Sequence, residues 1–169
     1  MRLSVITICV VAVILAMVYH SDARWWRKRY PCSKKTSRAA KPYYFGKTNL
    51  WCMMKYGKKG KRSAPKRHNL WSLSHSFIYY DGWYFEFGVG KTHKAVYNTR
   101  AVKSNRCKSR RDKKPAGYST LSVECLKKCT KNYKGKYGKY RLLTHNCHHF
   151  ANRISNILCN WKSCPSWCK

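Results

Sequence analysis

The clearest hydrophobic and polar pattern lies between Ser74 and Gly88. Two runs rich in β-favouring aromatic residues, Ser-His-Ser-Phe-Ile-Tyr-Tyr and Trp-Tyr-Phe-Glu-Phe-Gly, flank Asp81-Gly82. An Asp-Gly pair between such runs predicts a β-hairpin closed by a type I′ turn. With those two residues as the turn, Tyr80 pairs with Trp83, Tyr79 with Tyr84, Phe77 with Glu86 and His75 with Gly88. Ile78, Tyr80, Trp83, Phe85 and Phe87 then share one face, which is apolar and predicts core. His75, Phe77, Tyr79, Tyr84 and Glu86 share the other, where Glu86 lies diagonally within reach of His75 and Gly88 leaves space beside the imidazole.

A second pattern runs from Tyr140 to Leu158 and predicts a short strand, a turn and an amphipathic helix. Cys147, Phe150, Ala151, Ile154 and Leu158 recur at helical spacing and form one apolar stripe. Asn146 or Thr144 can cap this helix, which places Cys147 in its first turn. A third pattern, with Leu121, Cys125, Leu126 and Cys129 in phase, predicts a helix over 120–131. Between these segments lie three basic, Gly- or Pro-punctuated stretches, 55–67, 105–117 and 132–140, which read as surface loops.

The N-terminus is different. Arg2 precedes an apolar run from Ser4 to Tyr19, and Ser21-Asp22-Ala23 offers the small residues of a signal cleavage site. Residues 1–23 are accordingly expected to be a signal peptide, with no later run apolar enough to span a bilayer. The expected organisation beyond it is a basic, Cys-containing extension over 24–73, a core over 74–158, and a Cys-rich tail over 159–169. Residues 24–31, Arg-Trp-Trp-Arg-Lys-Arg-Tyr-Pro, form a cationic Trp-rich arm suited to an anionic surface.

Export makes the cysteines informative. Of the 10, Cys9 leaves with the signal segment and nine remain. In an exported chain these read as disulfides, and an odd number leaves one over. If Cys147 stays single, the other eight close four bridges whose pairing the sequence leaves open. The spacings match no zinc site.

Charge selects partners. With 37 Lys+Arg against 5 Asp+Glu, the formal net charge is +32. Losing residues 1–23 removes one charge of each sign and leaves that balance unchanged. Such a field attracts polyanions: phospholipid, glycan, nucleic acid or acidic protein. No recognised nucleic-acid motif accompanies it.

The remaining signal is chemical. Cys147 faces inward from the positive end of a helix dipole, an environment that favours a thiolate nucleophile. His75, on the hairpin, is a candidate base, and Glu86, one of few acids, a candidate orienter of it, which is the logic of a triad. The Cys147 N–H at the helix start is a natural oxyanion donor. His145, His148 and His149 flank Cys147 but cannot share its helix face, so no metal site is expected, and no cofactor either.

Two spaced motifs carry a resemblance: H-x6-G-x4-F-G at His75, Gly82, Phe87 and Gly88, and Y-x-L-L-x-x-N-C-x-x-F from Tyr140 to Phe150. Together they resemble the PPPDE family of desumoylating-type isopeptidases, and more distantly LRAT-like acyltransferases and NlpC-type peptidases. The resemblance spans about residues 74–158 and implies an α+β, circularly permuted papain-like fold with His75 and Cys147 as the catalytic dyad. The chain departs from the family in its export signal, its cysteine surplus and His148 in place of the Asn often found after the nucleophile. What the resemblance carries over is a reaction type: thiolate attack on an amide, ester or thioester carbonyl. The expected function is therefore a secreted, cationic cysteine hydrolase or acyltransferase. The alternative is a non-catalytic cationic binder, a toxin, antimicrobial or matrix protein on the same scaffold.

Overall fold

A computed structural model describes residues 32, 37–55, 74–89, 93–102 and 107–169. The expected signal peptide, the Trp-rich arm and all but Lys55 of the first basic stretch lie outside these residues. The chain is an α+β fold: strands β1 (Lys41–Asn49), β2 (Ser74–Tyr80), β3 (Trp83–Val89), β4 (Lys94–Asn98), β5 (Ser109–Arg111) and β6 (Gly117–Ser119) form one antiparallel sheet. Its order is β4-β3-β2-β1-β5, and β6 also pairs with β1. Helices α1 (Leu50–Lys55), α2 (Val123–Tyr137) and α3 (Cys147–Asn160) accompany it, with a 3-10 turn at Ser166–Cys168.

The β2–β3 hairpin has the register that its turn chemistry predicts, with Phe77 opposite Glu86, Ile78 opposite Phe85, Tyr79 opposite Tyr84 and Tyr80 opposite Trp83. Asp81 and Gly82 both adopt positive φ, 46° and 85°, the backbone that a type I′ turn needs and that Gly accepts without cost.

One sheet face supplies Tyr43, Phe45, Ile78, Tyr80, Phe85 and Phe87 to a core completed by Leu126 and Tyr133 of α2 and Phe150, Ile154 and Leu158 of α3. Aromatic edge-to-face contacts knit it: Phe87 packs on Tyr133 at 5.0 Å and Tyr133 on Phe150 at 4.7 Å. The opposite face is also covered near β2, where His75, Phe77 and Glu86 are buried. Gly46, paired with Phe77, has no side chain to block that ring. Tyr44, Tyr79 and Tyr84 continue the face outward, and the Arg111 guanidinium lies 4.6 Å and 4.5 Å over the first two rings.

Three expectations are corrected. Residues 41–55 are not extension: β1 is an inner strand between β2 and β5, because Tyr43 and Phe45 bury on the core face. The 105–117 stretch is not simply a loop, since Ser109–Arg111 and Gly117 join β1 through backbone pairing that Lys- and Arg-rich composition does not prevent. Helix α2 runs on to Tyr137 rather than stopping at 131. Tyr133 extends its buried stripe, half-buried Tyr137 packs beside it, and Gly138 ends the helix at φ 91°.

Four disulfides staple the layers: Cys32–Cys159, Cys52–Cys107, Cys125–Cys164 and Cys129–Cys168. Cys125 and Cys129, one turn apart on α2, hold the C-terminal segment against that helix. Among the described residues, Cys147 alone is a free thiol. No helix among them is long and apolar enough to cross a membrane.

Candidate active site

Helix α3 begins where its capping chemistry dictates. Asn146 Oδ1 accepts from the His148 N–H at 2.9 Å and the His149 N–H at 3.2 Å, and the His149 ring reaches back to the Asn146 N–H. Cys147 is therefore the first helical residue. Its stripe partners Phe150, Ala151, Ile154 and Leu158 are all buried, so packing fixes the helix rotation and aims the thiol inward. The cap consumes the next two N–H groups but not that of Cys147 itself.

The helix packs against β2 and β3. This brings Cys147 close enough to His75, near the start of β2, to favour the protonated imidazole. His75 Nε2 lies 2.9 Å from Glu86 Oε2, across the hairpin. That contact leaves Nδ1 as the ring nitrogen available to the thiol. Glu86 is wholly buried, and its second oxygen accepts from the Val102 N–H at 2.7 Å. A carboxylate held in this way has little freedom, so it fixes the imidazole in turn.

The electrostatics follow from these contacts. Burial alone lowers the basicity of His75, but the Cys147 and Glu86 side chains outweigh it and raise the imidazole pKa from 6.5 to about 9. Its neighbour in space behaves oppositely. Burial, the charge of His75 and that of Lys47 lower His148 to about 4, so this ring is neutral at physiological pH. His148 Nδ1 meets Ser76 Oγ at 2.7 Å, and the same ring engages the Ser74 backbone.

Tyr140 completes one wall. Its phenol is raised to about 12, first by burial and then by the nearby Cys147 charge. The ring packs on Phe87 at 5.4 Å and stacks on His93 at 5.1 Å. Gly88, at φ 85° in a β-bulge, leaves space that the Tyr140 ring takes, where any Cβ would collide with it.

The structure thus brings together all three residues singled out from the sequence, Cys147, His75 and Glu86. It adds Tyr140, His148, Ser76 and the Val102 N–H. Ser76 and His148 sit beside His75 and Cys147 in the chain, a signal that adjacency offered and composition did not. Val102 has no sequence signal at all. A further cluster, Cys125, Cys129 and Cys164, has its sulfurs within 4.8 Å of one another, but each is committed to a disulfide and offers no thiolate to a metal. No family model, curated protein or solved structure matches this chain.

Proposed function

We propose that the protein is a secreted, cationic cysteine hydrolase or acyltransferase on a permuted papain-like scaffold, with Cys147 as nucleophile. The observation that carries this is the one free thiol among the described residues, at a helix N-terminus and beside an imidazole that a buried carboxylate holds. Eight disulfide-bonded cysteines beside one unpaired in such surroundings favour chemistry over stapling for the ninth. The resemblance of the His75 and Cys147 motifs to PPPDE-type isopeptidases points to the same reaction class.

In this reaction the Cys147 thiolate attacks the carbonyl carbon of an ester, thioester or amide. The Cys147 N–H and the positive helix end stabilise the oxyanion that forms. As the tetrahedral species collapses, the protonated His75 gives its proton to the departing alkoxide, thiolate or amine, and a thioester to Cys147 remains. Water or an acceptor alcohol or amine, deprotonated by the now neutral His75, attacks that thioester. The acid or transferred acyl product leaves, and the thiolate–imidazolium pair is restored. Glu86 keeps the ring oriented throughout and never takes the proton itself. The surplus of cations holds the enzyme on anionic surfaces.

The test is thiol counting on the secreted protein by alkylation and mass spectrometry, without reduction. One label, at Cys147, is expected. Cys147→Ala and His75→Ala should abolish turnover across a panel of ester, thioester and amide substrates while retaining the circular dichroism of the wild type. A Cys147 found oxidised to another chain, or turnover that survives Cys147→Ala, would instead leave a non-catalytic cationic binder.

A further inference from the structure

The chain between Gly138 and the α3 cap carries two leucines that the fold does not use. Leu142 and Leu143 are 64% and 76% exposed, the most exposed of the large apolar side chains among the described residues. Neither belongs to a core cluster. Single exposed apolar residues are ordinary, but two adjacent ones at the tip of a braced turn are not.

The brace is explicit. Arg141 and His145 exchange backbone hydrogen bonds at 3.0 Å and 2.9 Å, closing the turn at its base. The Asn146 side-chain amide donates to the Leu142 carbonyl at 2.7 Å. Asn146 also caps the helix that carries Cys147, so turn and nucleophile are tied to one side chain. The approach to the turn is cationic: Lys134, Lys136, Lys139 and Arg141 are all exposed. Of the chain's few acids, Glu86 is buried on His75, and Asp81 and Glu124 pair with Lys41 and Lys127.

We infer that the Leu142–Leu143 turn docks the protein on an anionic phospholipid bilayer, the cations settling among the headgroups and the leucines entering the acyl boundary. Apolar insertion and headgroup attraction reinforce each other in interfacial binding, and neither alone makes use of leucines flanked by cations. Purely electrostatic partners such as glycan or nucleic acid gain nothing from burying Leu. This rests on the anionic-surface part of the proposed function and names the surface. It places the wall beside Cys147 at the membrane, so that an acyl or peptidyl group displayed there lies near the thiol.

The experiment is co-sedimentation of the secreted protein with vesicles of phosphatidylcholine, with and without phosphatidylserine, at low and high salt. Heparin-column elution runs in parallel. Leu142→Ser/Leu143→Ser should weaken binding to phosphatidylserine vesicles by at least about tenfold, the scale set by burying even one leucine. Its heparin elution should match the wild type, showing charge and fold intact. Because both proteins share the same N-terminal residues, the difference isolates the turn. Equal vesicle binding by both, binding to heparin alone, or a lipid-free dimer that the substitution dissolves would each overturn the inference, the last by making the turn a self-association face. Cys147 alkylation needs no lipid, so failure here leaves the catalytic test standing, and the reverse.

Discussion

Ser76 Oγ and His148 Nδ1 lie 2.7 Å apart, although 72 residues separate them in sequence. Each is the chain neighbour of a dyad member, Ser76 of His75 and His148 of Cys147. Strand and helix are thus joined twice at one point, once through the imidazole–thiol contact and once through this pair. The second tether holds the N-terminus of α3 on β2 whatever the protonation state of His75, because His148 is neutral at physiological pH.

Ser76→Ala should therefore act through geometry. Loss of one partly buried hydrogen bond costs about 1 kcal/mol of stability. Iodoacetamide labelling of Cys147 should slow several-fold at an unchanged label count, and the pH at which labelling is half-maximal should shift. Ser76→Thr, which keeps the hydroxyl, should restore both. Labelling by Ser76→Ala at the wild-type rate and pH dependence would show that packing alone seats the helix.

Glu86→Gln tests the third member of the site. The amide is nearly isosteric and can still accept from Val102, but it removes the charge that helps to hold the His75 proton. The alkaline limit of turnover, set in the proposed mechanism by loss of that proton near pH 9, should move to lower pH. Turnover at neutral pH should fall by roughly ten- to a hundredfold, a fraction of what acid–base catalysis supplies. An alkaline limit that stays in place would remove Glu86 from the role of orienter.

Stability should decline on both sides of pH 6.5, for opposite reasons. His75 is raised to about 9, so its contribution is complete below 6.5 and is lost as pH rises toward 9. His148 is lowered to about 4, so its contribution is complete above 6.5 and is lost as pH falls toward 4. Urea midpoints measured from pH 4 to 9 should form a dome, and His148→Asn should flatten its acid limb alone. An unchanged acid limb in that variant would assign the loss elsewhere.

The hairpin and the last helix were legible because their information is local. Asp81-Gly82 sets the β2–β3 register through turn stereochemistry, and the phase of Cys147, Phe150, Ala151, Ile154 and Leu158 sets which way α3 faces. Where local cues conflict with packing, packing prevails. Lys-rich 132–137 looks like loop, but Tyr133 buries and Tyr137 packs half-buried against the core, which keeps it helical. The Lys41–Asn49 segment looks like basic extension, but β2 and β5 each offer it a ladder.

From the sequence alone came nine cysteines (an odd number, once the expected signal peptide takes Cys9), a His and a Glu on one hairpin face, and a thiol at the head of an amphipathic helix. The count needs no structure, and the other two depend only on short stretches of chain, where backbone stereochemistry and side-chain period are enough. Tertiary structure decided which cysteines pair, that the Val102 N–H meets Glu86, that Tyr140 fills the space over Gly88, and that His148 reaches Ser76. Those contacts join segments separated by 16 to 127 residues. They exist only once the sheet has closed around β1 and burial has made each unpaired polar group costly.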